Sequence, residues 1–308
     1  MQTHWTFWLG FNLFVLVMLA LDLGVFHRKS HQVRFKEALL WSSLWIGLAL
    51  AFALLVLFWQ GRQPALEFVT GYVVEESLSV DNLFVFLVLF RYFKVEPQYQ
   101  HKVLFWGIIG ALVTRGIFII AGVQLINRFH WIVYAFGVFL IFKGMTMWRS
   151  EESDIEPERN FFLRMLRKFI PVTDRYEGGK FFVRQNLKRY ATPLFIVLLV
   201  VEFTDVAFAT DSIPAILAIT KNAFIVYTSN VFAILGLRSL FFALAGLMDV
   251  FHRLHYGLSA LLIFIGLKML TSERYPIPIH IALAVVAGIL IASIAASLIF
   301  PKNPQPSS

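Results

Sequence analysis

Residues 72–86 read YVVEESLSVDNLFVF, and residues 203–217 read FTDVAFATDSIPAIL. Aligning Asp81 on Asp211 sets Asn82 on Ser212 and Glu75 on Asp205. Each copy then shows an acid, five residues, an Asp, and a small amide or hydroxyl. The correspondence continues one apolar stretch later, where Arg115 in TRGIF matches Arg238 in LRSLF. One stretch further, LIFKG at 140–144 matches LIFIG at 262–266. Three matches in one order indicate an internal repeat of three apolar segments.

The surrounding chain is built for lipid. Of its 308 residues, 58% are hydrophobic and 15% charged, and mean hydropathy is +0.72. A water-soluble domain has roughly 45–50% apolar and about 25% charged residues. A soluble globule is excluded, and so is a disordered chain. A bilayer-spanning helix needs about 20 apolar residues. Nine stretches qualify: 5–25, 38–59, 67–90, 103–125, 131–148, 192–213, 223–247, 255–271 and 278–300. The N-terminal MQTHWTFWLG lacks a basic leader and a cleavage site, so the first stretch reads as a retained helix.

Basic residues orient the spans. One set of alternate loops holds 19 Lys and Arg, ten of them between Arg149 and Arg189, and the opposite set holds four. By the positive-inside rule the N-terminus faces out and the C-terminus faces the cytoplasm. The same bias explains the net charge of +8 without a nucleic-acid partner. The third span then runs inward and the sixth outward, so the repeats are inverted. The expected fold is all-α and polytopic, with about nine transmembrane helices and two inverted three-helix repeats. Its divisions are an N-terminal helix pair (1–66), the first repeat (67–148), a cytoplasmic loop (149–190), the second repeat (191–271), a last span (272–300) and a cytoplasmic tail (301–308). Within the loop, FFLRMLRKFI at 161–170 fits either an interfacial helix or a soluble one. Inverted repeats around a midplane site are the architecture of secondary transporters.

Seven of the 19 acids lie in or near spans: Asp22, Glu75, Glu76, Asp81, Glu202, Asp205 and Asp211. Each costs roughly 2.5–3.5 kcal/mol at mid-bilayer unless compensated. Lys143 and Lys268 are expected to snorkel to an interface. Arg115 and Arg238 lie deeper and are expected to pair with carboxylates in a charge-balancing, structural role. Set against Glu75, Asp81, Glu202, Asp205 and Asp211, the two arginines leave three net negative charges. A divalent cation and one proton would neutralise that excess.

On an unbroken helix Asp205 and Asp211 project about 240° apart, roughly 9 Å along the axis. One shared site therefore calls for a break near 206–214, for which Pro214 is the agent, freeing the Thr210 carbonyl. Glu202 and Asp205 share a face. With Asn82 and Ser212 added, every candidate metal ligand is a hard oxygen donor. Such a shell suits Mg, Ca or Mn. The chain has no cysteine, which excludes thiolate metal sites, disulfides and thiol redox chemistry. His27 with His31 and His252 with His255 are spaced to chelate, but interfacial histidine is the commoner outcome. Seven of the eight tryptophans lie near span ends, as belt residues do.

EESLSVDN, ATPLFIVLLVVEFTDVAFATDSIPAI and SNVFAILGLR resemble the signature segments of the TerC family of bacterial integral membrane proteins, and its Alx-type members in particular. The resemblance covers residues 1–300. It implies an inner-membrane protein concerned with metal homeostasis and manganese export, with Ca2+ as a second candidate ion. The acids it implicates are Glu75, Asp81, Glu202, Asp205 and Asp211, beside Asn82 and Ser212, with Asp22 as a further pathway position. No enzyme activity or resident cofactor is expected. The expected partners are the divalent ion and the lipid bilayer, with a homo-oligomer compatible. Two alternatives stay open: a non-transporting metal sensor or scaffold, and an intramembrane aspartyl protease. The protease lacks a glycine-x-glycine-aspartate context at both Asp81 and Asp211.

Overall fold

A computed structural model describes residues 5–21, 35–129, 131–149, 172–173, 176–185, 188–245, 254–272 and 274–299, the side chains of Leu21, Asp81, Gln185, Lys188 and Leu254 excepted. Asp22, His27, His31, His252, the 161–170 segment and the tail 301–308 lie outside the described residues.

The described residues form nine helices and one hairpin. In chain order these are α1 (Trp5–Leu21), α2 (Phe35–Gln60), α3 (Arg62–Tyr92), α4 (Pro97–Arg128), α5 (Ile132–Arg149), β1 (Phe182–Gln185), β2 (Lys188–Ala191), α6 (Pro193–Leu217), α7 (Ala223–Ala245), α8 (Leu254–Thr271) and α9 (Ile279–Ile299). Each helix coincides with one of the nine apolar stretches. Six of them (α2, α4, α5, α6, α7 and α9) are long and apolar enough to cross a membrane. Although α3 has 31 residues, Glu67, Glu75, Glu76 and Asp81 lower its apolarity.

Local chemistry sets the boundaries. Gly61, with φ of +94°, is the single residue between α2 and α3, a backbone conformation that favours glycine. Pro97 and Pro193 open α4 and α6, where a missing N–H costs nothing. The hairpin was not anticipated from the sequence. Its strands pair antiparallel, Phe182 opposite Ala191 and Gln185 opposite Lys188.

Packing reveals the repeat. α5 lies along α8, α3 along α7, and α4 along α6. In the sequence alignment Gly137, Ile141 and Gly144 of α5 correspond to Ser259, Ile263 and Gly266 of α8. A Cβ on Gly144 would fall 2.7 Å from the Ser259 carbonyl oxygen and 2.7 Å from Cγ1 of Ile263. A Cβ on Gly266 would fall 2.7 Å from the Gly137 carbonyl oxygen and 2.7 Å from Cγ1 of Ile141. The two contacts are the same contact with the repeats exchanged. They also run in opposite order along the two helices, so α5 and α8 are antiparallel. Small residues let helix backbones approach this closely in lipid. The α3–α7 and α4–α6 pairs are likewise counterparts, and each is parallel: Gly71 faces Ser229 while a Cβ on Gly236 would fall 3.8 Å from Glu76, and Gly107 faces Val201 while Gly122 faces Leu217. An approximate two-fold relation between inverted repeats accounts for all three pairings.

The centre of this arrangement is α7. It is buried on nearly every face, and its polar residues Thr228, Ser229 and Asn230 are wholly enclosed. At one end of the bundle the segment 176–192 ties three helices together. Tyr176 Oη donates to the Phe93 carbonyl after α3 (2.6 Å), and Lys102 Nζ of α4 donates to the Gly179 carbonyl (2.7 Å). Thr192 Oγ1 at the start of α6 donates to the Lys180 carbonyl at 2.6 Å. At the opposite end Thr220 Oγ1 donates to Glu67 of α3 (2.5 Å), and Lys268 Nζ donates to the Ala218 carbonyl just past α6 (3.0 Å). Lys268 thus sits at a helix C-terminus, which favours a cation.

Candidate functional site

The repeats are joined at Arg115, which is 1% exposed. Its Nη2 donates to Oδ1 of Asp205 at 2.9 Å and its Nε donates to Oδ2 at 3.3 Å. Its Nη1 pairs with Oε1 of Glu75 and lies 3.5 Å from Ser212 Oγ. Glu75 comes from α3, Arg115 from α4, and Asp205 and Ser212 from α6. The two acids aligned in the sequence therefore meet on one guanidinium. Glu75 is wholly buried, and its Oε2 has no hydrogen-bond partner. Two carboxylates against one arginine leave the cluster a net anion.

Other sequence-nominated groups surround this cluster without closing a single shell. The Glu202 carboxylate occupies the space over Gly110 that a side chain would fill. Asn82 is buried in α3. Asp211 pairs with Lys143 of α5 at 3.0 Å. Lys143 does not snorkel as expected, because the Asp211 carboxylate satisfies its charge within the bundle. Arg238 Nη1 lies 3.1 Å from Nε2 of His101. A cavity of about 20 Å3, enough for roughly one water, is lined by Asp205 and Arg238 among apolar side chains such as Leu83, Phe86 and Val201.

The expected break near 206–214 is not present. α6 runs unbroken from Pro193 to Leu217 with Pro214 inside it. Thr210 Oγ1 donates to the Ala207 carbonyl at 2.6 Å, a contact within the same helix. On an intact helix Asp205 and Asp211 must diverge, and they do, one to Arg115 and the other to Lys143. Among the described residues, no three His, Asp or Glu side chains converge as a ready metal shell. The Asp81 side chain lies outside them.

Three residues were not assigned to the site from sequence. Glu76 has a buried Oε2 without a partner. It had been counted as an intramembrane acid but not as part of the charge balance. Asn230 is wholly buried with both amide atoms unpartnered, and His101 meets Arg238. Nothing in the spacing of Asn230 or His101 distinguishes them from packing residues. Adding Glu76 and Lys143 to the earlier count sets six acids against three bases, so the excess is again three.

The model of the integral membrane protein TerC family matches residues 60–305. A membrane protein of Myxococcus xanthus, STKORF319, is 52% identical over 300 residues, covering 97% of this chain and 94% of its own. The Alx protein of Salmonella typhi, whose name describes it provisionally as a membrane-bound redox modulator, is 48% identical, covering 92% and 91%. A membrane protein of Rickettsia bellii is 41% identical, covering 95% and 97%. No solved structure matches.

The chain belongs to the TerC family. As a TerC protein it is an integral, multi-pass membrane protein, and its charged cluster is set in an apolar helix bundle. The TerC match begins at Gln60, the last residue of α2, so it takes in both repeats and all the acids placed above.

Proposed function

We propose that this protein carries a divalent metal cation, manganese foremost, out of the cytoplasm across the bacterial inner membrane, with the N-terminus outside and the C-terminus inside. It works as a transporter, not an enzyme, and needs no resident cofactor. One observation carries the reading: matching acids of two inverted repeats, Glu75 and Asp205, meet on a single buried arginine with carboxylate in excess.

Charge supports it. Isolated anions at this depth are stable only with a counter-cation or a proton. The excess of three fits one divalent ion and one proton. The donors are all oxygen, which suits manganese, calcium or magnesium. The two-fold relation supports it further, since two equivalent half-structures can exchange roles as the bundle opens to either side. The Alx names point instead to redox. Such a role here would have to proceed without thiols, because the chain has no cysteine.

The test is flux into proteoliposomes with Mn2+, Ca2+ and Mg2+ at two pH values, alongside cytoplasmic manganese in cells expressing wild type, Asp81→Ala or Asp211→Ala. Saturable Mn2+ flux lost in both variants supports export. Saturable binding with no flux would make the protein a metal sensor or scaffold. Equal cytoplasmic manganese in all three strains would end the proposal.

A further inference from the structure

We propose that Lys143 is a tethered counter-ion that occupies Asp211 whenever the transported cation does not, so that its ammonium and the metal compete for one carboxylate. This rests on the cation-transport reading and adds a built-in competitor to that site.

Position is the first argument. Lys143 stands six residues before the end of α5 at Arg149, and Asp211 six residues before the end of α6 at Leu217. At 1.5 Å per residue each Cα is about 9 Å inside its helix terminus. A lysine at this depth ordinarily extends toward the nearer interface. Here Nζ stays 3.0 Å from Oδ2 of Asp211.

The second argument is the contrast with Arg115. That guanidinium is 1% exposed and grips Asp205 through two hydrogen bonds, a geometry that resists release. The Lys143 side chain is 43% exposed and that of Asp211 16%. An ammonium is a point charge on a flexible four-carbon stem, without a planar fork. Of the two cationic contacts, only this one has room to let go.

The third argument concerns what remains. When the ammonium swings away, Asp211 keeps the Thr210 hydroxyl 3.4 Å from Oδ1, a hard donor suited to a divalent ion. A bare carboxylate in hydrocarbon is costly, so lysine makes the metal-free state tolerable. No covalent bond changes in the exchange.

The experiment uses the full-length protein in proteoliposomes with Mn2+ as probe. Binding is read by the paramagnetic signal of free Mn2+ and flux by KM and turnover. Lys143→Gln should lower KM about tenfold, equivalent to ~1.4 kcal/mol, and slow turnover, because nothing expels the ion. Lys143→Arg, whose planar fork holds a carboxylate at two points, should raise KM above wild type. Added methylammonium should raise KM of Lys143→Gln toward wild type, a rescue that a purely structural lysine would not give. An unchanged or raised KM in Lys143→Gln without an amine effect would overturn the proposal. Tighter Mn2+ binding by Lys143→Gln in a protein that moves no Mn2+ would leave the competition intact and end the transport reading. Absence of Mn2+ binding in both forms would end both. Lys143→Met provides an apolar chain of similar length; if neither variant folds, the pair is a structural anchor and the proposal fails.

Discussion

Arg115 and Asp205 are joined across the two inverted repeats by a fork of two hydrogen bonds, 2.9 Å from Nη2 and 3.3 Å from Nε. Planar, two-point contact of this kind needs a guanidinium. Glu75 takes the remaining face of the same group. Removing the arginine therefore strands two buried carboxylates at once. Arg115→Ala should cost about 3–5 kcal/mol, the scale of a broken buried ion pair. Arg115→Lys should recover only part of this. Thermal unfolding in detergent checks both, and an unfolding temperature within 2 °C of wild type for Arg115→Ala would contradict the assignment.

The glycine contacts of α5 and α8 make a symmetric prediction. Gly144→Leu and Gly266→Leu each drive a side chain into backbone 2.7 Å away. Overpacking of this sort costs roughly 1–3 kcal/mol or more. The two variants should lose similar stability, because they make the same contact with the repeats exchanged. Gly47→Leu, where a Cβ meets nothing within 4 Å, should be near neutral. Unequal losses at Gly144 and Gly266 would argue against the two-fold relation.

Gly110 offers a way to move Glu202 without removing its charge. A Cβ at this position would overlap the Glu202 carboxylate. A glutamate side chain can swing aside, so Gly110→Ala should fold with a loss under about 1.5 kcal/mol. Cation affinity should nonetheless shift by tenfold or more if Glu202 contributes to binding. Mn2+ titration of the purified variant measures this.

The segment 176–192 should loosen when its latch is cut. Lys102 donates to the Gly179 carbonyl and lies 4.7 Å from the Phe181 ring centroid. Lys102→Met removes both contacts, together worth about 1–2 kcal/mol. Limited proteolysis within 176–192 should become severalfold faster in the variant. Equal cleavage rates would show that the latch contributes nothing.

Alkaline pH should open the same segment. Burial, reinforced by the nearby Glu96 charge, raises the Tyr176 phenol above its usual value of 10.0. The folded state therefore holds this proton more tightly than the unfolded state. The stabilisation is complete below pH ~10 and is lost as pH rises through the folded value. Proteolysis of the segment should accelerate above pH 10 in wild type and much less in Tyr176→Phe.

The sequence alone determined the apolar spans that the nine described helices occupy, their approximate ends and the existence of the repeat. Apolar length is a local property in lipid, because every backbone group must be satisfied within its own segment. The acids were equally legible, since a carboxylate in an apolar run is conspicuous at any depth. Their partners were not. Arg115 collects Glu75 and Asp205 through contacts spanning 90 residues in the second case, and Lys143 meets Asp211 although its position read as a snorkelling residue. A helix period fixes which way a side chain leaves its own axis. Which neighbour it finds there depends on how three helices cross. The unbroken course of α6 through Pro214 was decided in the same way, by packing on both flanks. The stretch leading into the hairpin of β1 and β2 is held by Phe93, by Lys102 of α4 and by Thr192, contacts that no local pattern could reveal.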